Sequence, residues 1–203
     1  MLMAEELALI AMNPRKRSPG LGMHQHLNAC LAGLLLGDLV VKGAAELRPR
    51  DTIVLIPGTS FFAGTLVGAA QVVAEKGPAI KAVLSGMDRG LHKHLGRGTW
   101  DAILAGLSEG VAGREKAIER LRAAAASNER IDPRTALVLS MTGPAHLLEL
   151  MAPQRGADRR HARDRIDHVT DGLPFEAISR AVRKIIDQDA VAAAASGYML
   201  SLP

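Results

Sequence analysis

The run from about His24 to Lys42 is the most apolar helical segment in the chain, carrying Leu27, Cys30, Leu31, Leu34, Leu35, Leu39 and Val41. Asp38 interrupts it, and it falls short of the roughly 20 apolar residues that a bilayer requires. It therefore reads as the central helix of a soluble bundle. Gly33 and Gly37 lie four residues apart, one turn above the other on one face, where another helix can approach closely. Gly43 follows Lys42 at the position where a left-handed residue ends a helix.

A shorter helix precedes it, Glu5-Glu6-Leu7-Ala8-Leu9-Ile10-Ala11-Met12. Its two acids suit the positive end of a helix, and its unbroken apolar run predicts burial. The same acids sit where a secretory signal would be basic, so no such signal is expected. Asn13 to Gly22 holds two prolines, two glycines and the consecutive bases Arg15, Lys16 and Arg17, which is loop chemistry.

The chain has 203 residues, long enough for one domain (1–203) with a substantial core. Trp and Tyr occur once each and Phe three times within 48% hydrophobic residues. Such a core is built from Leu, Val, Ile and Ala, which favours packed helices over a β-sandwich. The expected fold class is mainly α, a compact helical domain with at most one or two short strands. Downstream, Asp51 to Ile56 reads as a strand bounded by Pro57-Gly58. Thr59 to Glu75 reads as a helix, as does Pro78 to about Met87. Asp88 to Gly98 reads as a basic loop, Thr99 as the cap of a helix through Trp100 and Leu107, and Arg114 to Asn128 as a further helix. Asp132 and Pro133 start the next, which Gly143-Pro144 breaks before it resumes to Met151. Arg155 to His168 is a charged stretch, and Phe175 to Ala195 is the last long helix.

The pattern Leu2-x-x-Glu5-Glu6-Leu7-x-Leu9-Ile10-Ala11, then Leu31-x-Gly33-x-x-Leu36-x-Asp38-Leu39-x-x-x-Gly43, resembles the Golgi phosphoprotein 3 family. Leu107-Ser108-Glu109-Gly110-Val111 is similar to that family's Gly-Val helix end. Asp132-Pro133-Arg134 through Ala152-Pro153 and the stretch Ala177 to Ala195 are similar to its later helices. The resemblance implies a mostly helical fold, a pocket for phosphatidylinositol 4-phosphate, adaptor work on membrane-bound glycosyltransferases and no enzyme activity. Eukaryotic members place a tryptophan and an arginine around the start of the second helix, at positions that match Met23 and Ala32 here. Two further basic residues match Gly96 and Thr99. None of the four is kept, although Arg97 and Trp100 stand close by. Phe61-Phe62-Ala63-Gly64 replaces a family Leu-Leu-Asp-Glu stretch. Family members also place a β-hairpin after the Gly-Val end that supports dimerisation. Here Gly110-Val111-Ala112-Gly113 leads straight into Arg114, so the hairpin is expected to be absent and the protein a monomer.

Catalytic and metal chemistry find little support in the residues. His24-x-His26 and His92-x-His94 would diverge on a helix, and neither pair has a Cys or acid cluster nearby. His161, Asp164 and His168 share a helix face but stand among Arg160, Arg163 and Arg165, which suits a solvated face better. Gly58-Thr59-Ser60 and Gly96-Arg97-Gly98-Thr99 lack the lysine and spacing of a nucleotide loop. Neither a metal nor a cofactor is expected, nor enzyme activity. The lone Cys30 reads as a small buried hydrophobe in a reducing, cytoplasmic compartment. The net charge of +4 is modest, and no nucleic-acid motif accompanies it. Arg15, Lys16, Arg17, Arg89, Lys93 and Arg97, with Trp100, are the candidate contacts for anionic phospholipid. Plain solubility explains the same charges. Richness in Ala, Arg and Gly points to a bacterial source. The expected role is thus a cytoplasmic, non-enzymatic adaptor that sits at the inner membrane face or binds a membrane-associated protein. A soluble scaffold that binds only protein is the alternative.

Overall fold

The computed structural model describes residues 1–12, 24–60, 64–105, 107 and 111–199. Among them the order is α1 (Met3–Ala11), α2 (His24–Val41), β1 (Ala45–Arg48), β2 (Thr52–Leu55), α3 (Gly64–Lys76), α4 (Ile80–Leu95), α5 (Thr99–Leu104), α6 (Val111–Ala126), α7 (Pro133–Thr142), α8 (Leu148–Met151), α9 (Ala157–His168) and α10 (Glu176–Met199). The fold is mainly α, with one two-stranded antiparallel sheet.

Helix α2 is the axis of the core. Leu27, Leu31, Leu34, Leu35, Leu36 and Leu39 are all buried, and α1, α4, α7 and α10 pack around them. The two glycines admit two different helices. A Cβ at Gly33 would lie 2.6 Å from Val182 Cγ2 on α10, and one at Gly37 would lie 2.5 Å from Leu137 Cδ2 on α7. Gly43 ends α2 in the left-handed region at φ +66, and the Ala44 N–H donates back to the Leu39 carbonyl at 2.8 Å.

Helix α1 is fastened at both ends by other elements. The Asp38 carboxylate of α2 accepts the Met3 N–H at 2.9 Å and the Ala4 N–H at 3.2 Å. These are orphan donors of the first helical turn, and the carboxylate also meets the helix dipole. At the other end Arg114 of α6 donates to the Ile10 carbonyl from Nη2 at 3.0 Å and Nε at 3.2 Å. Asp38 is only 3% exposed. Burial pushes its carboxyl up to about 6, against the pull of the two N–H donors and of Arg134.

Several expectations need correction. The sheet stays within the expected one or two short strands, but the polar stretch Ala44 to Arg50 supplies the second: Ala45–Arg48 pairs with Thr52–Leu55 from Ala45↔Leu55 to Arg48↔Thr52. Arg48-Pro49-Arg50 masked it, but Pro49 falls in the turn, where its missing N–H matters least. Asp88 to Leu95 is helix rather than loop. Met87, Leu91 and Leu95 carry the apolar face of α4 onward, and Gly90 sits inside because a Cβ there would be 2.4 Å from Val72 Cγ2 of α3. Thr99 caps nothing with its side chain. Its own N–H donates to Asp88 Oδ1 at 2.8 Å, so a carboxylate from α4 caps α5. α5 stops at Leu104, short of Leu107, and Val111 opens α6 instead of closing the helix before it. Asp132 caps α7 as expected, its Oδ1 accepting the Thr135 N–H at 2.9 Å, with Pro133 first in the helix. The charged stretch from Arg155 forms α9.

Candidate functional site

Arg15, Lys16, Arg17 and Met23 lie outside the described residues, as do Phe61, Phe62, Ala63 and Ser108 to Gly110. Arg89 and Lys93 stand one turn apart on the exposed side of α4, where a four-residue spacing puts two side chains on one face. Lys93 is engaged, because its Nζ lies 2.8 Å from Glu75 Oε1 of α3. That hydrogen bond holds the Glu75 carboxyl below its ordinary range, and His94 Nε2 lies 3.0 Å from the same oxygen. Arg89 and Arg97 are exposed and have no acidic partner among the described residues. Trp100 is half-buried, packed against the edge of the core rather than standing free.

The positions that match the family's headgroup contacts behave differently from one another. Ala32 and Thr99 are buried at 2% and 0% exposure, within the packing of α2 and at the start of α5. Gly96 is exposed and takes the left-handed position that ends α4, at φ +66. Asp88 joins the surrounding elements, accepting from Thr99 N–H and, at 3.4 Å, from Asn28 Nδ2 of α2. Near this satisfied carboxylate in the chain stand the guanidiniums of Arg89 and Arg97, exposed and without an acidic partner among the described residues. This arrangement suits diffuse attraction of anions better than the fixed geometry of a headgroup pocket.

The remaining sequence candidates are dispersed. Cys30 is buried, and burial pushes its thiol well above the ordinary range, so it behaves as a hydrophobe. His26 stacks on His146 of the α7–α8 turn, with ring centroids 4.9 Å apart and Nδ1 2.9 Å from Nε2. His92, His161 and Asp164 are exposed, and His168 Nδ1 lies 3.0 Å from Asp171 Oδ2. Glu6 is buried beneath Arg120, which it meets directly, and 3.8 Å from Arg134, an ion cluster that ties α1 to α6 and α7.

Sequence reasoning missed a groove of about 640 Å³ between α9, α10 and the α7–α8 turn. Arg159 and Arg163 of α9 and Arg183 of α10 line it, together with Glu149, Asp167 and Asp187. The four-residue spacing of Arg159 and Arg163 was the one available signal. The reach of Arg183 across from the last helix, and the meeting of His26 with His146, have no local trace. A family model described as Golgi phosphoprotein 3 (GPP34) matches residues 3–115. No curated protein matches the chain.

Proposed function

Because this chain belongs to the Golgi phosphoprotein 3 family, we propose that it is a non-enzymatic peripheral membrane module that binds anionic phospholipid through exposed cations. The observation that carries this reading is the pair Arg89 and Arg97, exposed beside α5 with no acidic partner among the described residues. Each base near an anionic surface contributes about 1 kcal/mol. Arg15, Lys16 and Arg17, which precede α2 in the sequence, add to the same attraction. Lys93 contributes less, because Glu75 already neutralises it. Phosphoinositide selectivity is not expected of the family's headgroup positions, since Met23, Ala32, Gly96 and Thr99 supply neither charge nor an aromatic platform. Among the described residues no helix is long and apolar enough to cross a membrane, and surface attachment requires none. The protein acts as a cytoplasmic monomer at the inner membrane face.

Co-sedimentation with vesicles tests this directly. Vesicles containing phosphatidylserine should retain the protein at low salt, and purely zwitterionic vesicles should not. Retention should fall steeply with salt, because screening acts over about 8 Å at physiological ionic strength. Arg89→Gln with Arg97→Gln should weaken binding, as should neutralising Arg15, Lys16 and Arg17, while Met23→Ala should leave it unchanged. Equal retention by charged and zwitterionic vesicles defeats the proposal. So does no retention by either, which would favour a scaffold for protein partners. Selective retention by phosphatidylinositol 4-phosphate that survives high salt would show a built pocket instead.

A further inference from the structure

The groove between α9 and α10 has no part in the surface attraction just described, and its residues fall outside the 3–115 match. We propose that it is a binding site for a small phosphate-bearing ligand, recognised by Arg159, Arg163 and Arg183. Its volume of about 640 Å³ lies within the range of about 300–1,000 Å³ typical of small-molecule sites. Its lining combines these guanidiniums with the apolar side chains of Leu148, Ile166 and Ile186. A guanidinium presents paired N–H donors in a plane, which matches two oxygens of a phosphate. Arg159 and Arg163 present two of them from successive turns of one helix face.

Two of the arginines are placed for this role in different ways. Arg163 is exposed and has no acidic partner among the described residues. Arg183 spends Nη1 on Asp167 at 3.3 Å and Nη2 on the Ile166 carbonyl at 2.9 Å. The Asp167 and Ile166 contacts hold Arg183 in place before any ligand arrives, which lowers the ordering cost of binding.

The acids in the same groove set the affinity. Glu149 pairs with Arg159 at 3.2 Å, but its side chain is 83% exposed, so the pair is weak and exchanges readily for a ligand oxygen. Asp187 is exposed and stands one turn beyond Arg183 on α10. Its charge opposes any anion, so only a ligand that gains more than one guanidinium contact overcomes it. A phosphate monoester, whose oxygens can engage two guanidiniums at once, meets that requirement where chloride or a simple carboxylate does not.

Isothermal titration and thermal melts of the full chain with inorganic phosphate, inositol 1,4-bisphosphate and chloride at matched ionic strength test the site. Phosphate and the inositol phosphate should bind saturably and raise the melting temperature, and chloride should do neither. Arg163→Gln should weaken phosphate binding by about tenfold or more, the loss of one charge-assisted contact. Asp187→Asn should strengthen it about two- to fivefold, the range an exposed charge allows. Both side chains are exposed, so the ligand-free melting temperatures of the variants should match that of the parent. Absence of saturable phosphate binding overturns the proposal, as does an equal response to chloride or an unaltered affinity in Arg163→Gln. Vesicles carrying phosphatidylinositol 4-phosphate identify the source. Binding above that of phosphatidylserine vesicles of equal charge, lost in Arg163→Gln, marks a lipid headgroup, and binding of the soluble phosphates alone marks a soluble ester. Arg89→Gln with Arg97→Gln should leave phosphate titrations unchanged, so this site and the membrane reading fail separately.

Discussion

Replacing Gly33 by alanine tests the central packing of the fold most directly. The new Cβ would sit 2.6 Å from Val182 Cγ2, 3.4 Å from Ile178 Cγ2 and 3.6 Å from Met141 Cε. Carbon contacts are optimal at about 3.5–4.0 Å, so the first is short by about 1 Å. Val182 is fully buried and β-branched, which holds it in essentially one rotamer within a helix. Relief must come from movement of α10, which also packs on α4 and α7. Overpacking of this kind costs about 1–3 kcal/mol. Against it, alanine gains about 1 kcal/mol over glycine inside a helix. The net expectation is a loss of about 0–2 kcal/mol, or up to about 8 °C in melting temperature for a chain of this length. Urea unfolding followed by circular dichroism at fixed pH measures it. Val182→Ala alone should cost about 1–3 kcal/mol through the space it leaves. Combined with Gly33→Ala it should cost less than the two losses added, by about 1–2 kcal/mol, because the new methyl occupies that space. Gly64, with nothing within 4 Å of its Cβ position, serves as a control whose alanine variant should be near neutral. Additive losses in the double variant, or a Gly33→Ala more stable than the parent, would refute the argument that α10 is seated on this glycine.

Asp38 makes stability depend on pH in an unusual direction for an acid. Its folded value of about 6 exceeds the ordinary 3.8, so between those limits the native state holds more proton than the unfolded chain. Its contribution should therefore fall as pH rises through that window, by about 3 kcal/mol in all. The stability difference between the parent and Asp38→Asn, measured at several pH values across the window, should show this slope, and a flat difference contradicts it. Asp132→Ala removes the acceptor of the Thr135 N–H at the start of α7. It should cost about 1 kcal/mol in the same unfolding assay, and no loss at all would mean that the cap is idle. Cys30, the single cysteine, is buried with its thiol pushed up. It should resist a thiol reagent in the native protein and react once in denaturant; rapid native labelling would show that α2 opens.

Sequence and structure agree wherever the signal is local. Asp132-Pro133 forms its cap between residues three apart, Gly43 ends α2 through its own φ, and the apolar run of α2 demands burial whatever surrounds it. The mainly helical fold follows from such short-range preferences. They erred where a residue has two readings and packing chooses between them. Gly90 and the charges around it suit a loop, yet α3 approaches so closely that only glycine fits there in a helix. Thr99 suits a cap, yet Asp88 from α4 arrives first.

The candidate sites follow the same division. That Arg89, Lys93 and Arg97 are basic is written in the chain, but which of them is free depends on Glu75, a residue of the neighbouring helix. Asp38 reads as a blemish in an apolar helix until α1 is laid across it with two unpaired N–H groups. Nothing near His26 announces His146, 120 positions away, and nothing near Arg183 announces α9. Composition, period and caps act over a few residues and are set by the sequence itself. Which charge meets which partner is decided only by tertiary packing, because it depends on where distant helices come to rest.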